Sequence, residues 1–355
     1  MCKKVLILLL SFFTLFACER KPLYLQGDIA LKINVKVEAD IDALWTESWR
    51  DSLKYDWDEN IYGKIGYTKP DNCNVVVFNN GKLKSETTIR TARRELIDVE
   101  LNNTYDLLIY SKQYHWVDTY YEGGRYYIEA PSTGASGTKN EISSMYETVN
   151  QPGEVFSMNK KQIYLSNDIS DFEEVIENGK LVYVYNIDEM LEPASYIYII
   201  QFIVINDDNS PVIEAKDINN FTLSGISTKK NLFLNEPIYT GNKQIAAFDI
   251  KPGQSRKDSL IFASRVTILD LLPDDEYSSW HSQINYLYYT NIDVTTYNYG
   301  EVTGTKDITQ QLKDNPKGGI ITVVILNSEL KQKDTGSSSF GIDLNEWQQH
   351  AFDVF

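Results

Sequence analysis

Residues 197 to 205, Ile197-Tyr198-Ile199-Ile200-Gln201-Phe202-Ile203-Val204-Ile205, are apolar at every place but Gln201. A strand with one wet face alternates apolar and polar side chains, whereas a nearly unbroken apolar run reads as a strand covered on both faces. The run is too short to cross a bilayer as a helix, which takes about 20 apolar residues. It must therefore be a central strand.

The rest of the chain supplies further strands at short, regular spacing. Ile29, Leu31, Ile33, Val35 and Val37 alternate with Ala30, Lys32, Asn34, Lys36 and Glu38, the pattern of a half-buried strand. Val75 to Phe78 and the residues from Leu83 onward flank Asn80-Gly81, a pair that supplies the positive φ angles of a tight hairpin. Leu96 to Leu101 and Tyr105 to Tyr110 follow, split by Asn102-Asn103. Beyond Gln151-Pro152-Gly153 come Gln162 to Leu165, Lys180 to Tyr185, Ala194 to Asn206, Asn220 to Gly225, Gln244 to Ile250, Asp258 to Phe262, Ile284 to Ile292, Ile320 to Leu326 and Phe340 to Leu344. Turns rich in Asn, Asp, Pro and Gly separate them. This spacing argues for β-sandwiches rather than alternating βαβ units. Helical periodicity is scarce: Asp168 to Glu177 and Val266 to Leu272 are expected as short helices. Trp45, Trp49, Leu53 and Trp57 form one stripe if Leu44 to Trp57 is helical.

Length and turns together divide the chain. Residues 1–17 read as a signal peptide, 18–28 as a tether, 29–154 as an N-terminal sandwich and 155–355 as a C-terminal one. The signal reading rests on Lys3 and Lys4, the apolar stretch Val5 to Phe16, and Ala17 before Cys18. Leu15-Phe16-Ala17-Cys18 resembles the bacterial lipobox, in which the cysteine is lipidated and becomes the mature N-terminus. Of the three cysteines, Cys2 leaves with the signal and Cys18 carries lipid, so Cys73 remains without an intrachain partner. Its place before Val75-Val76-Val77-Phe78 is that of a small buried hydrophobe. With Lys+Arg 34 against Asp+Glu 50 the net charge is −16, a field that repels phosphate backbones and excludes nucleic acid as a natural partner.

No constellation of catalytic residues stands out. His115, His281 and His350 are far apart and lack metal-ligand spacing. There is no Gly-rich phosphate loop, no paired cysteines and no nucleophile elbow. Asp56-Trp57-Asp58-Glu59-Asn60 lacks the glycine and spacing of a calcium loop and reads as a solvated turn. The chain is thus expected to be no enzyme and to need no cofactor or metal. Arg90-Thr91-Ala92-Arg93-Arg94 is the one basic cluster, a solvated strand end or a protease-sensitive loop.

The binding candidates are aromatic. Trp45, Trp49 and Trp57 are either a cap on the sheet or a platform for a sugar. Tyr120 and Tyr121 belong to a crowded region, Tyr105 to Tyr127, that is either a hairpin of cross-strand aromatic pairs or a sugar-stacking face.

The lipobox, the opening strand, Pro70-Asp71-Asn72-Cys73-Asn74-Val75-Val76-Val77-Phe78-Asn79-Asn80-Gly81 and the closing stretch Gly341 to Val354, with Asn345-Glu346-Trp347 at a strand end, resemble fimbrillin-type lipoproteins of the minor-fimbria anchor kind, found in gut anaerobes with two membranes. The resemblance implies an all-β fold of two tandem fimbrillin-like, transthyretin-like Greek-key sandwiches with few short helices. It also implies an outer-membrane lipoprotein at the cell surface, anchoring or decorating a fimbria. Its partners would be the membrane, through lipid on Cys18, and fimbrial subunits, by strand complementation. The alternative is a surface lipoprotein that binds glycans through Trp and Tyr.

Overall fold

The structure is a computed structural model that describes residues 29–37, 51–91, 95–112, 117–131, 147–207, 217–241, 243–247, 249–272, 282–293 and 298–330. Cys18, Trp45, Trp49, the three histidines and the closing stretch Gly341 to Val354 lie outside these residues. The fold is all-β.

The first half contains β1 (Ile29–Val37), β2 (Asn72–Asn79), β3 (Lys82–Arg90), β4 (Glu95–Asp98), β5 (Asn103–Lys112), β6 (Asp118–Glu122), β7 (Arg125–Glu129), β8 (Glu147–Val149), β9 (Val155–Leu165), β10 (Glu173–Glu177) and β11 (Lys180–Pro193). Eight of these join in the order β3-β2-β5-β9-β11-β1-β4, with β10 on β11. Strand β11 meets β9 only through Glu192 and Pro193, so the sheet turns a corner there. Its two arms close over a core that includes Leu31, Val75, Val77, Leu107, Ile109, Phe156 and Leu191. Asn80 and Gly81 take φ of 51° and 74° between β2 and β3, the conformation that their sequence demanded. Cys73 is buried and free. β1 lies inside its sheet, parallel to β11 and antiparallel to β4.

The second half contains β12 (Tyr196–Ile205), β13 (Asp217–Ser224), β14 (Ile226–Ser227), β15 (Lys229–Asn231), β16 (Glu236–Ile238), β17 (Lys243–Ala247), β18 (Ile250–Ser255), β19 (Ser259–Ile268), β20 (Asp270–Leu271), β21 (Gln283–Asp293), β22 (Asn298–Asp307) and β23 (Gly319–Leu326). A four-stranded sheet, β18-β19-β12-β23, packs on a five-stranded one, β22-β21-β13-β17-β8. Strand β12 is central and covered twice, as its composition required. Tyr198, Ile200, Phe202 and Val204 enter the core between the sheets. Ile199 and the half-buried Ile203 face outward under a belt made of Leu53, Tyr55, Trp57, Tyr62 and Ile65.

Within the described residues, that belt takes over Leu53 to Trp57, the last part of the helix expected over Leu44 to Trp57. Residues 51–52 are helical and 53–57 are not; the next helix, α1, is only Glu59–Tyr62. The reason is competition for backbone groups. Lys54 N–H donates to Gln201 Oε1 at 2.8 Å and Asp56 N–H to Gln254 Oε1 at 2.8 Å, while Gln201 Nε2 donates to the Ser52 carbonyl at 2.8 Å. An extended chain bonded to the sheet satisfies those groups better than a helical turn. Gln201, the lone polar residue of the apolar run, is what the belt is tied to.

Two other helix expectations fail. Glu173 to Glu177 pairs with Lys180 to Val184 as a hairpin strand, because Asn178 and Gly179 adopt φ of 51° and 79°. Val266 to Ile268 continues β19, where a ten-residue unbroken register with β12 outweighs local preference, and Asp270–Leu271 pairs with β14. Between the halves, β7 pairs with β15 and β8 with β17, so hydrogen-bonded sheets cross the position near 155 at which the turns had divided the sequence.

Because belt and sheets are shared, Leu31→Ala in the first half and Phe202→Ala in the second are each expected to cost about 2–5 kcal/mol and to move one common urea transition, followed by circular dichroism and tryptophan fluorescence.

Candidate functional site

Of the aromatic candidates within the described residues, Trp57 and Tyr120 are half-buried and Tyr121 is exposed. Trp57 donates its indole N–H to the Gly63 carbonyl at 2.9 Å, and meets Tyr55 and Tyr62 edge-on at 6.1 and 5.9 Å. The Lys251 ammonium stands 5.7 Å from its ring. On the β6–β7 hairpin, Tyr120 and Tyr127 lie 5.6 Å apart with the Lys229 ammonium over both rings, at 5.0 and 4.7 Å. Tyr120 donates to Glu129, which also binds Lys243 at 2.9 Å. Tyr121 points the other way, onto Phe78 at 5.6 Å, and is the more exposed of the two.

A buried polar arrangement lies elsewhere, where β11 becomes β12. Only Ala194 and Ser195 connect them, and both are fully buried. A buried connection must pair its backbone within the protein. Ala194 N–H donates to the Val155 carbonyl at 2.7 Å, and Val155 N–H donates to Ser195 Oγ at 2.8 Å. The Ser195 carbonyl accepts from Tyr67 Oη at 2.9 Å, and the Ala194 carbonyl from Lys230 Nζ at 3.2 Å.

Two ion pairs flank the connection. Glu154 Oε1 meets Arg265 Nη2 at 2.6 Å, and Arg265 also donates to the carbonyls of Ile65 and Gly66 at 2.9 and 3.1 Å. Glu154 accepts from Thr68 N–H through its second oxygen. One carboxylate thus holds the end of the belt, the start of β9 and the middle of β19. Lys230, fully buried on β15, pairs with Asp270 at 2.8 Å and stands 4.9 Å from the Tyr196 ring. Burial holds the Lys230 ammonium below its ordinary pKa, against the pull of Asp270. Burial raises the phenols of Tyr67 and Tyr198, and that of Tyr196 to about 12.

None of these five, Tyr67, Glu154, Lys230, Arg265 and Asp270, stood out in the sequence. Their partners are tens to hundreds of residues away, and single charged residues in an acidic chain carry no local signature. Lys229-Lys230 on a two-faced strand was the one available cue, since neighbouring residues must face opposite ways. The arrangement ties the belt, β9, β15 and β19 to the connection between β11 and β12. Among the described residues, no group of three or more His, Cys, Asp or Glu side chains is placed to hold a metal, and no helix is long and apolar enough to cross a membrane.

Solved structures similar to this chain include proteins of Bacteroides and Porphyromonas. A candidate adhesin of Bacteroides ovatus is 10% identical, with 87% of this chain and 94% of that one covered and a TM-score of 0.47. A candidate polysaccharide-binding protein of Bacteroides thetaiotaomicron is 10% identical, covering 85% and 93% with a TM-score of 0.46. The fimbrial anchor protein Mfa2 of Porphyromonas gingivalis, of the class that the sequence resembles, is 10% identical over 83% of this chain and 90% of its own, at 0.44. No family model and no curated protein matches the chain.

Three outcomes are expected. Glu154→Gln leaves the Arg265 guanidinium without its carboxylate and costs about 3 kcal/mol in urea denaturation. Trp57→Ala costs about 1–3 kcal/mol through lost packing on the belt. Raised tyrosine pKa values mean that the folded state holds protons which the unfolded state has released above the ordinary value of 10.0, so their contribution is complete below that pH and lost as pH rises through the folded values. Lys230 works with the opposite sign, as one group against three. The contribution of these phenols is therefore constant below the ordinary tyrosine value and declines above it, with buried phenolate absorbance appearing only as the chain unfolds.

Proposed function

We propose that this chain is a lipid-anchored protein of the outer membrane, exposed at the cell surface, that acts without catalysis as the anchor or an accessory subunit of a surface fibre. Cys18 carries the lipid and residues 19–28 lift the fold from the membrane. The observation that carries the reading is the joint at Ala194 and Ser195. A fixed attachment point has to hold its parts in one relative position, and here the connection is buried, bonded and flanked by two ion pairs.

Further support comes from β1. Nine residues of it lie in register with β11 and four with β4, so the strand directly after the tether is built into the sheet. Removing it would part the lipid from the fold. The partner would be a fibre subunit that meets this protein through a sheet edge; the alternative is a glycan, for which Tyr121 is the exposed aromatic among the described candidates.

Cell fractionation tests the address. Wild-type protein is expected in the membrane fraction and accessible to protease on intact cells, and Cys18→Ser in the soluble fraction; a Cys18→Ser variant that stays on the membrane overturns the lipid anchor. Co-purification with a fibre subunit tests the role.

A further inference from the structure

The first and last strands among the described residues are paired in a way that the anchor reading did not require. β1 runs parallel to β11 from Ile29↔Tyr183 to Val37↔Leu191, and β23 runs parallel to β12 from Tyr198↔Gly319 to Ile205↔Leu326, neither with a register shift. The partners, β11 and β12, are consecutive in the chain and joined only by Ala194 and Ser195. The described end of the fold is tied down as well, by Lys306 Nζ on Glu329 at 2.8 Å and Ser328 N–H on Asp207 at 2.9 Å.

The most direct route for tension between these two strands runs through that connection. It enters β1 at its N-terminal end, crosses to β11, leaves β11 at its C-terminal end through Ala194 and Ser195, enters β12 at its N-terminal end, crosses to β23 and leaves at Leu326. In each parallel pair, load enters one strand at its start and leaves the other at its finish. All the evenly spaced bonds of the ladder then strain together. Were both strands loaded at the same end, the bonds would open one after another.

We propose that the fold is a mechanical clamp for tension along its N-to-C direction, with two parallel ladders in series across a locked joint. Resting on the anchor reading, this says what the anchoring surface does: it carries force from the membrane side to whatever is attached beyond β23. The joint is part of the device. A hinge at Ala194 would let the halves swing and load the ladders from the side, and its hydrogen bonds to Val155, Tyr67 and Lys230 prevent that.

Single-molecule pulling tests it directly on the chain from residue 18 onward, made without lipid, so the result does not depend on what Cys18 carries. Handles at the two chain ends load both ladders lengthwise. Handles at the N-terminus and at Lys180→Cys, in a Cys73→Ala background, load the same β1–β11 pair from one end, because Lys180 is the exposed first residue of β11, directly after the turn at Asn178-Gly179. Glu177→Cys on the same turn gives the same geometry if Lys180→Cys does not fold by circular dichroism. The expected result is a rupture force several-fold higher between the chain ends than between the N-terminus and residue 180 at the same loading rate. End-to-end rupture at a force equal to or below that of the residue-180 handle overturns the clamp, and leaves the lipid address and the fibre partner to their own tests.

Discussion

A chain that passes from one sandwich to the next inside the protein has to find partners for every peptide group on the way, and this requirement shapes the centre of the molecule. Ala194 and Ser195 offer four backbone groups to an interior with no water to receive them. Val155, Tyr67 and Lys230 are the answer, and each comes from a different element. Once those elements converge on two residues, their own neighbours are fixed too: Glu154 beside Val155 brings Arg265, and Lys230 brings Asp270. Replacing such pairs by apolar residues often leaves stability unchanged, so their value here lies in position rather than strength.

How much was legible in the sequence follows from how local each cause is. The apolar run at 197–205 declared a doubly covered strand because nine residues in succession said the same thing, and Asn80-Gly81 declared its hairpin through two φ angles. Asn178-Gly179 carried the same cue, yet Asp168 to Glu177 read as helical when only its apolar spacing was weighed. The extension of β19 through Val266 to Ile268 was illegible for a different reason: its register with β12 depends on a strand sixty residues earlier. The non-helical path of residues 53–57 was illegible in the same way, since the groups that extend them are Gln201 and Gln254. At the joint nothing was legible beyond the adjacency of Lys229 and Lys230, because each ion pair is a meeting of distant segments.

The aromatic residues illustrate how a side chain of mixed character is used up by its surroundings. Tyr120 and Tyr127 could stack on a sugar only with ring faces in solvent, and Lys229 occupies the space above both. Trp57 has its N–H bonded and Lys251 alongside its ring. Crowded tyrosines on a short hairpin are, in this fold, the means by which a two-stranded ribbon is held to β15 and to Phe78.

The belt over the outer face of the second sandwich also sets an order of events. Arg265 reaches Ile65 across 200 residues of sequence, and Tyr55 reaches Pro252 across 197. Contacts that close such long loops form late and slowly. Until β19 has been made and delivered, residues 51–66 have no sheet to lie on and the Glu154 carboxylate has no guanidinium. The first sandwich therefore cannot complete itself while the chain is still emerging, and the half-made protein must be kept from pairing its open strand edges with other chains.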